Sequence, residues 1–383
     1  MRDQVDIAIV GGGPVGCACA ALLARSGIDA LVLEARSQPV SDPRALAIAY
    51  SSARALAGLE AWDEPSATPI EQVHVSEAGR FGSTTLDAAA AGLPALGYTV
   101  RYASLARALQ DAAGTALQRG VQVTGVEPGG ATARLALRTA SGDGTLQARL
   151  VIVADGNGHW PGIERYVKPY AHAALMVDIR FAGAAEGWAW ERFTAEGPLA
   201  LLPRRADDGA LAHTLIWSIP RALAESLVTL DDAALAGRVA DALGSRLPRI
   251  QRIESRAMRE LTLAVAHPRV APRLAVIGNA AQTLHPIAGQ GFNLGLRDAI
   301  ELAAVLADAP RAALGDIAML QQFALRRRSD RLGGLAYTDG LIRIAALGAS
   351  PVRTLRGLGL ALLDILPGAR RRLLAHSIFG LPA

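Results

Sequence analysis

The chain has 383 residues, 51% of them hydrophobic, which suits two or three domains with a large core and excludes global disorder. Its net charge of +4 is local: residues 341–383 hold six Arg and one Asp, so the rest is close to neutral, which argues against a nucleic-acid-binding protein. A single lysine, Lys168, excludes a Walker-type phosphate loop, and two cysteines, Cys17 and Cys19, exclude a zinc cluster and point to a reducing compartment.

The opening "MRDQVDIAIVGGG" enters a strand within a few residues and lacks a signal-peptide layout. No run of 18 apolar residues occurs, so no membrane span is expected, and the predicted location is cytoplasmic. "VDIAIV" (5–10) is a continuous apolar run of the kind found in buried parallel strands. "GGGPVG" and a helix with Pro14 in its first turn follow, then a second strand, "IDALVLEA" (28–35). Gly11, Gly13 and Gly16 stand in G-x-G-x-x-G register within this βαβ unit, and Glu34 closes the second strand. That layout suits a dinucleotide: glycines let the backbone approach a pyrophosphate, the helix N-terminus attracts its charge, and the acid accepts ribose hydroxyls.

Residues 41–59, "SDPRALAIAYSSARALAGL", predict a second helix, with Arg44 near its start able to reach phosphate. Residues 70–77 predict a strand, 100–120 a helix, and 121–156 strands around a "PGG" hairpin. The last of these strands ends in Asp155, a common ligand position at the carboxyl end of a parallel strand. Residues 165–267 predict antiparallel strands forming an inserted sheet, in which Trp188 and Trp190 alternate onto one face, a core or cleft wall. "RLAVIGNAAQ" (273–282) resumes the first domain, and a loop leads to a helix near Gly291 with Leu296, Ile300 and Leu302 on its apolar face. Gly289 and Gly291 leave room for a flat group against that helix N-terminus, which suits the negative edge of a reduced flavin. The tail after residue 350 alternates Leu-rich turns with Arg, a pattern shared by packed C-terminal helices and membrane-surface helices.

"GGGPVG", "RALAIAYSS", "ADG" and "GNAAQTLHPIAGQGFNLGLRD" occur in the order seen in FAD-dependent aromatic hydroxylases of the p-hydroxybenzoate hydroxylase fold, which the chain resembles over nearly its whole length. "TPIEQVHVSEAGRFGSTTL" and "ERFTAEGPLALLP" most resemble the ubiquinone-biosynthesis branch, the 2-polyprenyl-6-methoxyphenol hydroxylases. The pattern and the resemblance together imply an α/β fold, α+β overall, with a Rossmann-like FAD-binding domain over 1–69, 99–164 and 268–335. They imply an antiparallel-sheet substrate domain over 70–98 and 165–267 and a helical region over 336–383.

The resemblance implies that Gly11, Gly13 and Gly16 cradle the FAD pyrophosphate, Glu34 the ribose, and Arg44 the neighbourhood of the phosphates. Asp155 would support the flavin and nicotinamide cleft, Asn279 would touch the ribityl or ribose region with Gly278 as a further cofactor-binding residue, and Pro286, Gly289, Gly291 and Asn293 would surround the ring. It implies NAD(P)H as reductant, O2 as co-substrate, a hydrophobic polyprenyl-phenol as substrate, and insertion of one oxygen atom into the phenol ring. Other ubiquinone-biosynthesis proteins are implied partners, and the basic tail suggests peripheral contact with the inner face of a membrane; no nucleic acid or metal is expected. Three places depart from the family pattern: His159 and Gly162 in "DGNGHWPG", Asn279 where Asp is usual, and Ala103 where Arg is common. The altered "DGNGHWPG" motivates an alternative, a catalytically impaired flavoprotein that scaffolds the biosynthetic assembly. The catalytic groups stay open, with His285, Pro286 and His213 as candidates and His172 as a further possible base.

Overall fold

The computed structural model describes residues 3–39, 42, 44–79, 82–157, 160–284 and 290–335, and the single positions 359, 368 and 378. The fold is mixed α/β. Its first third runs β1 (Gln4–Val10), α1 (Pro14–Arg25), β2 (Ala30–Glu34), β3 (Ala45–Ala49), α2 (Tyr50–Gly58), β4 (Thr68–Ile70), β5 (Gln72–Glu77), β6 (Ser83–Asp87), β7 (Gly97–Arg101) and α3 (Tyr102–Ala113). Next come β8 (Leu117–Arg119), β9 (Val121–Pro128), β10 (Ala133–Thr139), β11 (Gly142–Val153), β12 (Glu164–Phe181), β13 (Trp188–Phe193), β14 (Pro198–Arg205) and β15 (Leu211–Pro220). The remainder is α4 (Arg221–Val228), α5 (Asp232–Leu243), β16 (Ile250–His267), β17 (Val270–Ala271), β18 (Leu274–Val276), β19 (Gln282–Thr283), α6 (Gln290–Ala307) and α7 (Ile317–Arg326).

The first sheet has the order β17-β18-β11-β1-β2-β8, with the β9–β10 hairpin extending from β11. β1 pairs in parallel with both β2 and β11. Its side chains alternate between two cores, which explains the unbroken apolar run. Ile7 and Ile9 pack with Cys17, Leu23, Leu109, Leu296 and Leu302 on the helical side. Ala8 and Val10 pack with Leu135, Leu137 and Leu146 of the hairpin.

The second sheet has the order β19-β16-β12-β15-β14-β13-β5-β6. One face is covered by α4 and α5, so Leu175, Val177, Leu201, Leu215 and Trp217 share a core with Leu235, Val239 and Leu243. A small sheet, β3-β7-β4, lies beside them, and β14 packs against both β4 and β7.

Two sequence expectations need correcting. Residues 41–59 are not one helix: Ala45–Ala49 is a strand paired antiparallel with β7, and the helix begins at Tyr50. Ala and Leu favour helix only weakly, and the pairing with β7 overrides them. The inserted region also contains helices α4 and α5 between its strands. The signal for α5 was present: Asp231 caps its start by accepting a hydrogen bond from the Ala234 N–H at 2.8 Å, and Leu235, Val239 and Leu243 recur four apart. No helix among the described residues is long and apolar enough to cross a membrane. The tail 336–383 lies outside the described residues apart from its three single positions; of these, Ile378 is buried against Leu86, Ala88 and Leu96.

Candidate active site

The glycine turn after β1 is dictated by close packing. Gly11 has φ +109°, and a Cβ there would lie 2.7 Å from the Ala154 carbonyl oxygen. A Cβ on Gly16 would come within 2.1 Å of the Gly11 carbonyl oxygen. Gly13 differs, since a Cβ there meets no atom within 4 Å. It caps the N-terminus of α1, so open space lies where the free N–H groups of the first turn point.

Glu34 is buried at the end of β2. Its Oε2 accepts from the Gly12 N–H at 2.8 Å, and its Oε1 accepts from the Arg36 N–H at 3.0 Å and from Nε at 2.8 Å. Burial alone would raise its pKa, but the hydrogen bonds from Arg36 and Gly12 outweigh it and hold the carboxyl below the ordinary range. A cavity of about 290 Å³ lies against this carboxylate, with Gly13, Arg36, Tyr102, Arg107 and Arg119 in its wall. Gln110 also lines it and donates to the Gly12 carbonyl at 3.2 Å. Arg44 pairs with Asp42 at 2.6 Å and stands over the Tyr102 ring at 5.3 Å, beside the same cavity.

Three further segments converge on the same N-terminal end of α1, where Val15 lies against Gly278 and Gly295 and Gly11 lies against Asp155. Asp155, just past β11, is exposed, and its carboxylate accepts from the Asn157 N–H at 3.0 Å and the Trp160 indole at 3.2 Å. Asn279 follows β18. Its Cβ lies 3.9 Å from where Gly156 would carry one, and its Oδ1 lies 3.8 Å from the corresponding point on Gly291. Asn293, in the first turn of α6, donates to the Ala47 carbonyl and accepts from the Ala49 N–H, both at 2.9 Å. That amide ties α6 to β3. Gly278 is held from behind by Asp298, whose Oδ2 accepts its N–H at 3.4 Å. His285, Pro286, Gly289 and His159 lie outside the described residues.

The sequence matches the family described as FAD binding domain over residues 4–327. The chain belongs to that family. It is 32% identical to the 3-demethoxyubiquinol 3-hydroxylase of Escherichia coli K12, across 98% of this chain and 99% of that protein. It is also 32% identical to ubiquinone hydroxylase UbiL of Rhodospirillum rubrum, across 98% of this chain and 90% of the relative. Among solved structures, p-nitrophenol 4-monooxygenase PnpA from Pseudomonas putida superposes with a TM-score of 0.79 at 16% identity, each chain covered in full, which shows a shared fold.

The residues present fit FAD. The turn has open space at Gly13, and the buried Glu34 carboxylate borders a cavity in which a ribose could be held. Gly13→Ser is expected to leave stability almost unchanged, because Ser is a favoured helix cap, yet to weaken FAD binding about tenfold or more by filling the pyrophosphate space. Gly16→Ala is expected to destabilise the apoprotein itself, by roughly 1–3 kcal/mol, because its Cβ collides with backbone. Flavin titration and thermal melts of the two apoproteins check the contrast.

Sequence reasoning missed several lining groups. Arg36, Tyr102, Gln110 and Arg119 surround Glu34; only the Glu34-x-Arg36 spacing hinted at them. Asp298 was also missed. Its signal was a lone acid four residues from both Leu294 and Leu302 in the apolar stripe of α6, where a charge must be paired to be tolerated. His213 lies on the helix-covered face of the second sheet, fully buried between Phe181 and Trp190, with ring centroids at 5.3 and 5.8 Å.

Proposed function

We propose that this protein is a flavin-dependent monooxygenase that inserts one oxygen atom from O2 into the aromatic ring of a polyprenylated methoxyphenol during ubiquinone biosynthesis. NAD(P)H, typical of the family, is the reductant. The observation that carries the reading is the near-complete match to two ubiquinone hydroxylases combined with an intact nucleotide cradle. FAD, when bound, supplies the redox chemistry that activates O2.

The chain supplies the rest. Gly11, Gly13, Gly16 and the N-terminus of α1 bind the pyrophosphate, and Glu34 accepts ribose hydroxyls. Arg44 stands beside the phosphates. Asp155, Gly278, Asn279, Gly291 and Asn293 shape the ring site together with Pro286 and Gly289, and the N-terminus of α6 favours negative charge there. The second sheet roofs the reacting ring and keeps water from it. The basic tail supports peripheral contact with an anionic membrane, from which a polyprenyl substrate would be taken, and docking of other biosynthetic proteins.

Complementation of strains each lacking one ubiquinone ring-hydroxylation step tests this, with accumulated quinone intermediates identified by mass. Rescue of one step is expected. Purified protein that binds flavin but hydroxylates no methoxyphenol, alone or with its partners, would replace the proposal with the scaffold alternative.

A further inference from the structure

Resting on that reading, we propose that Glu191 accepts the proton of the substrate's phenolic hydroxyl. β13 is an interior strand, between β14 and β5. Its residues alternate, so Trp190 points into the helix-covered core with His213, and Glu191 points to the opposite face. On that face Glu191 stands beside Val75 of β5 and Ala200 of β14, Ala200 is opposite Ile216, and Ile216 is opposite Met176. Glu191 is the one ionisable group in this row.

The row is not sealed. Glu191, Ile216 and Met176 are each only half-buried, as is Leu202 in the next row, although all lie in the middle of an eight-stranded sheet. Their partial exposure leaves space over this row, which is otherwise apolar. That space faces the small sheet, because β14 packs on β4 and β7, and Asn293 ties β3 of that sheet to the start of α6. An aromatic ring in this space would thus lie between Glu191 and the FAD site.

Among the described residues Glu191 has no hydrogen-bond or ion-pair partner, whereas its neighbours on this side of the sheet are engaged. Asp178 accepts from Thr214 at 2.7 Å and Ser255 at 2.8 Å, and Glu254 pairs with Arg180, Arg204 and Arg252. The charged groups bordering this row are Glu77 on β5, Asp178 on β12, Arg204 on β14, Arg259 on β16 and Arg101 on β7; Arg204 and Asp178 pair with each other at 3.2 Å. Burial pushes the Glu191 pKa up to about 7, which suits a base working near neutrality.

The step is a proton transfer. The phenolic O–H bond breaks, a new O–H bond forms on the Glu191 carboxylate, and the electron pair remains on the phenolic oxygen. Ring carbons ortho and para to it become more electron-rich and more open to the electrophilic oxygen. No electrons pass through Glu191; NAD(P)H and O2 supply the redox balance.

The test uses FAD-loaded wild-type, Glu191→Gln and Glu191→Asp proteins. Glu191→Gln should keep its flavin and its NAD(P)H oxidation but lose at least about tenfold in product per NAD(P)H at pH 7. The deficit should shrink as pH rises toward about 10, where a phenol ionises unaided, and Glu191→Asp should recover part of it. A pH-independent loss or wild-type coupling in Glu191→Gln overturns the assignment. A second readout needs no turnover: binding of 4-nitrophenol at pH 8, followed by calorimetry in buffers of different ionisation enthalpy. Wild type should take up close to one proton per bound nitrophenolate, since two adjacent anions share one, and Glu191→Gln close to none. Equal uptake, or no binding to wild type, sinks the proposal. If wild type shows the uptake yet hydroxylates no methoxyphenol, the substrate reading fails and the proton acceptor stands.

Discussion

Replacing Asp298 with Ala is expected to remove about 3–5 kcal/mol of stability, the cost of breaking a buried ion pair from one side. Asp298 is wholly buried and serves as the hub of a charged cluster. Its Oδ2 receives Arg269 at 2.5 Å and its Oδ1 receives Arg327 at 2.9 Å, while Arg327 and Arg297 both pair with Asp330 at 2.6 and 2.8 Å. Ala would leave the buried Arg269 guanidinium without its carboxylate and Arg327 with Asp330 alone. It would also release the Gly278 N–H and the Gln282 amide, which donates to Asp298 at 3.5 Å, so the turn carrying Asn279 loses its backing. Denaturant melts and flavin retention should therefore fall together. Asp298→Asn, which keeps the shape and drops the charge, should land between. A variant that melts like wild type would show that the cluster contributes nothing net.

The second large effect is acid sensitivity from His213. Burial, aided by the Arg204 charge, lowers its pKa from 6.5 to about 4. The folded form therefore withholds a proton that the unfolded chain accepts. Stability from this source is complete above about pH 6.5 and is lost as pH falls toward 4, by about 3 kcal/mol in all. Among the described residues neither ring nitrogen has a hydrogen-bond partner. His213→Leu should therefore be neutral or slightly stabilising at pH 7 and should flatten the decline between pH 6.5 and 4.5. Parallel stability-versus-pH curves for the two proteins would refute the assignment.

The parts of the fold that were legible in sequence are those where local chemistry has one reading. The glycine register, Pro14 and Glu34 specify a strand, a tight turn and a helix, because few other arrangements use those residues so close together. α6 announced itself by its apolar spacing. β3 did not, since Ala-Leu-Ala-Ile-Ala carries no strong preference and its state is decided by a partner strand half a hundred residues away. Alternation also placed Trp190 and Glu191 on opposite faces without revealing which face α4 and α5 would cover. That choice depends on packing between distant segments, and it decides which of the two borders the space over the uncovered face. The cavity beside Glu34 was hidden for the same reason, because Arg36, Tyr102, Gln110 and Arg119 meet only after folding.

The bond from Asn293 to Ala47 and Ala49 spans most of the chain, joining partners 246 and 244 positions apart. Coenzyme uptake must therefore wait until translation has passed that point. A ribosome-held chain stopped before residue 290 would present the glycine turn but lack the far wall, and should emerge colourless.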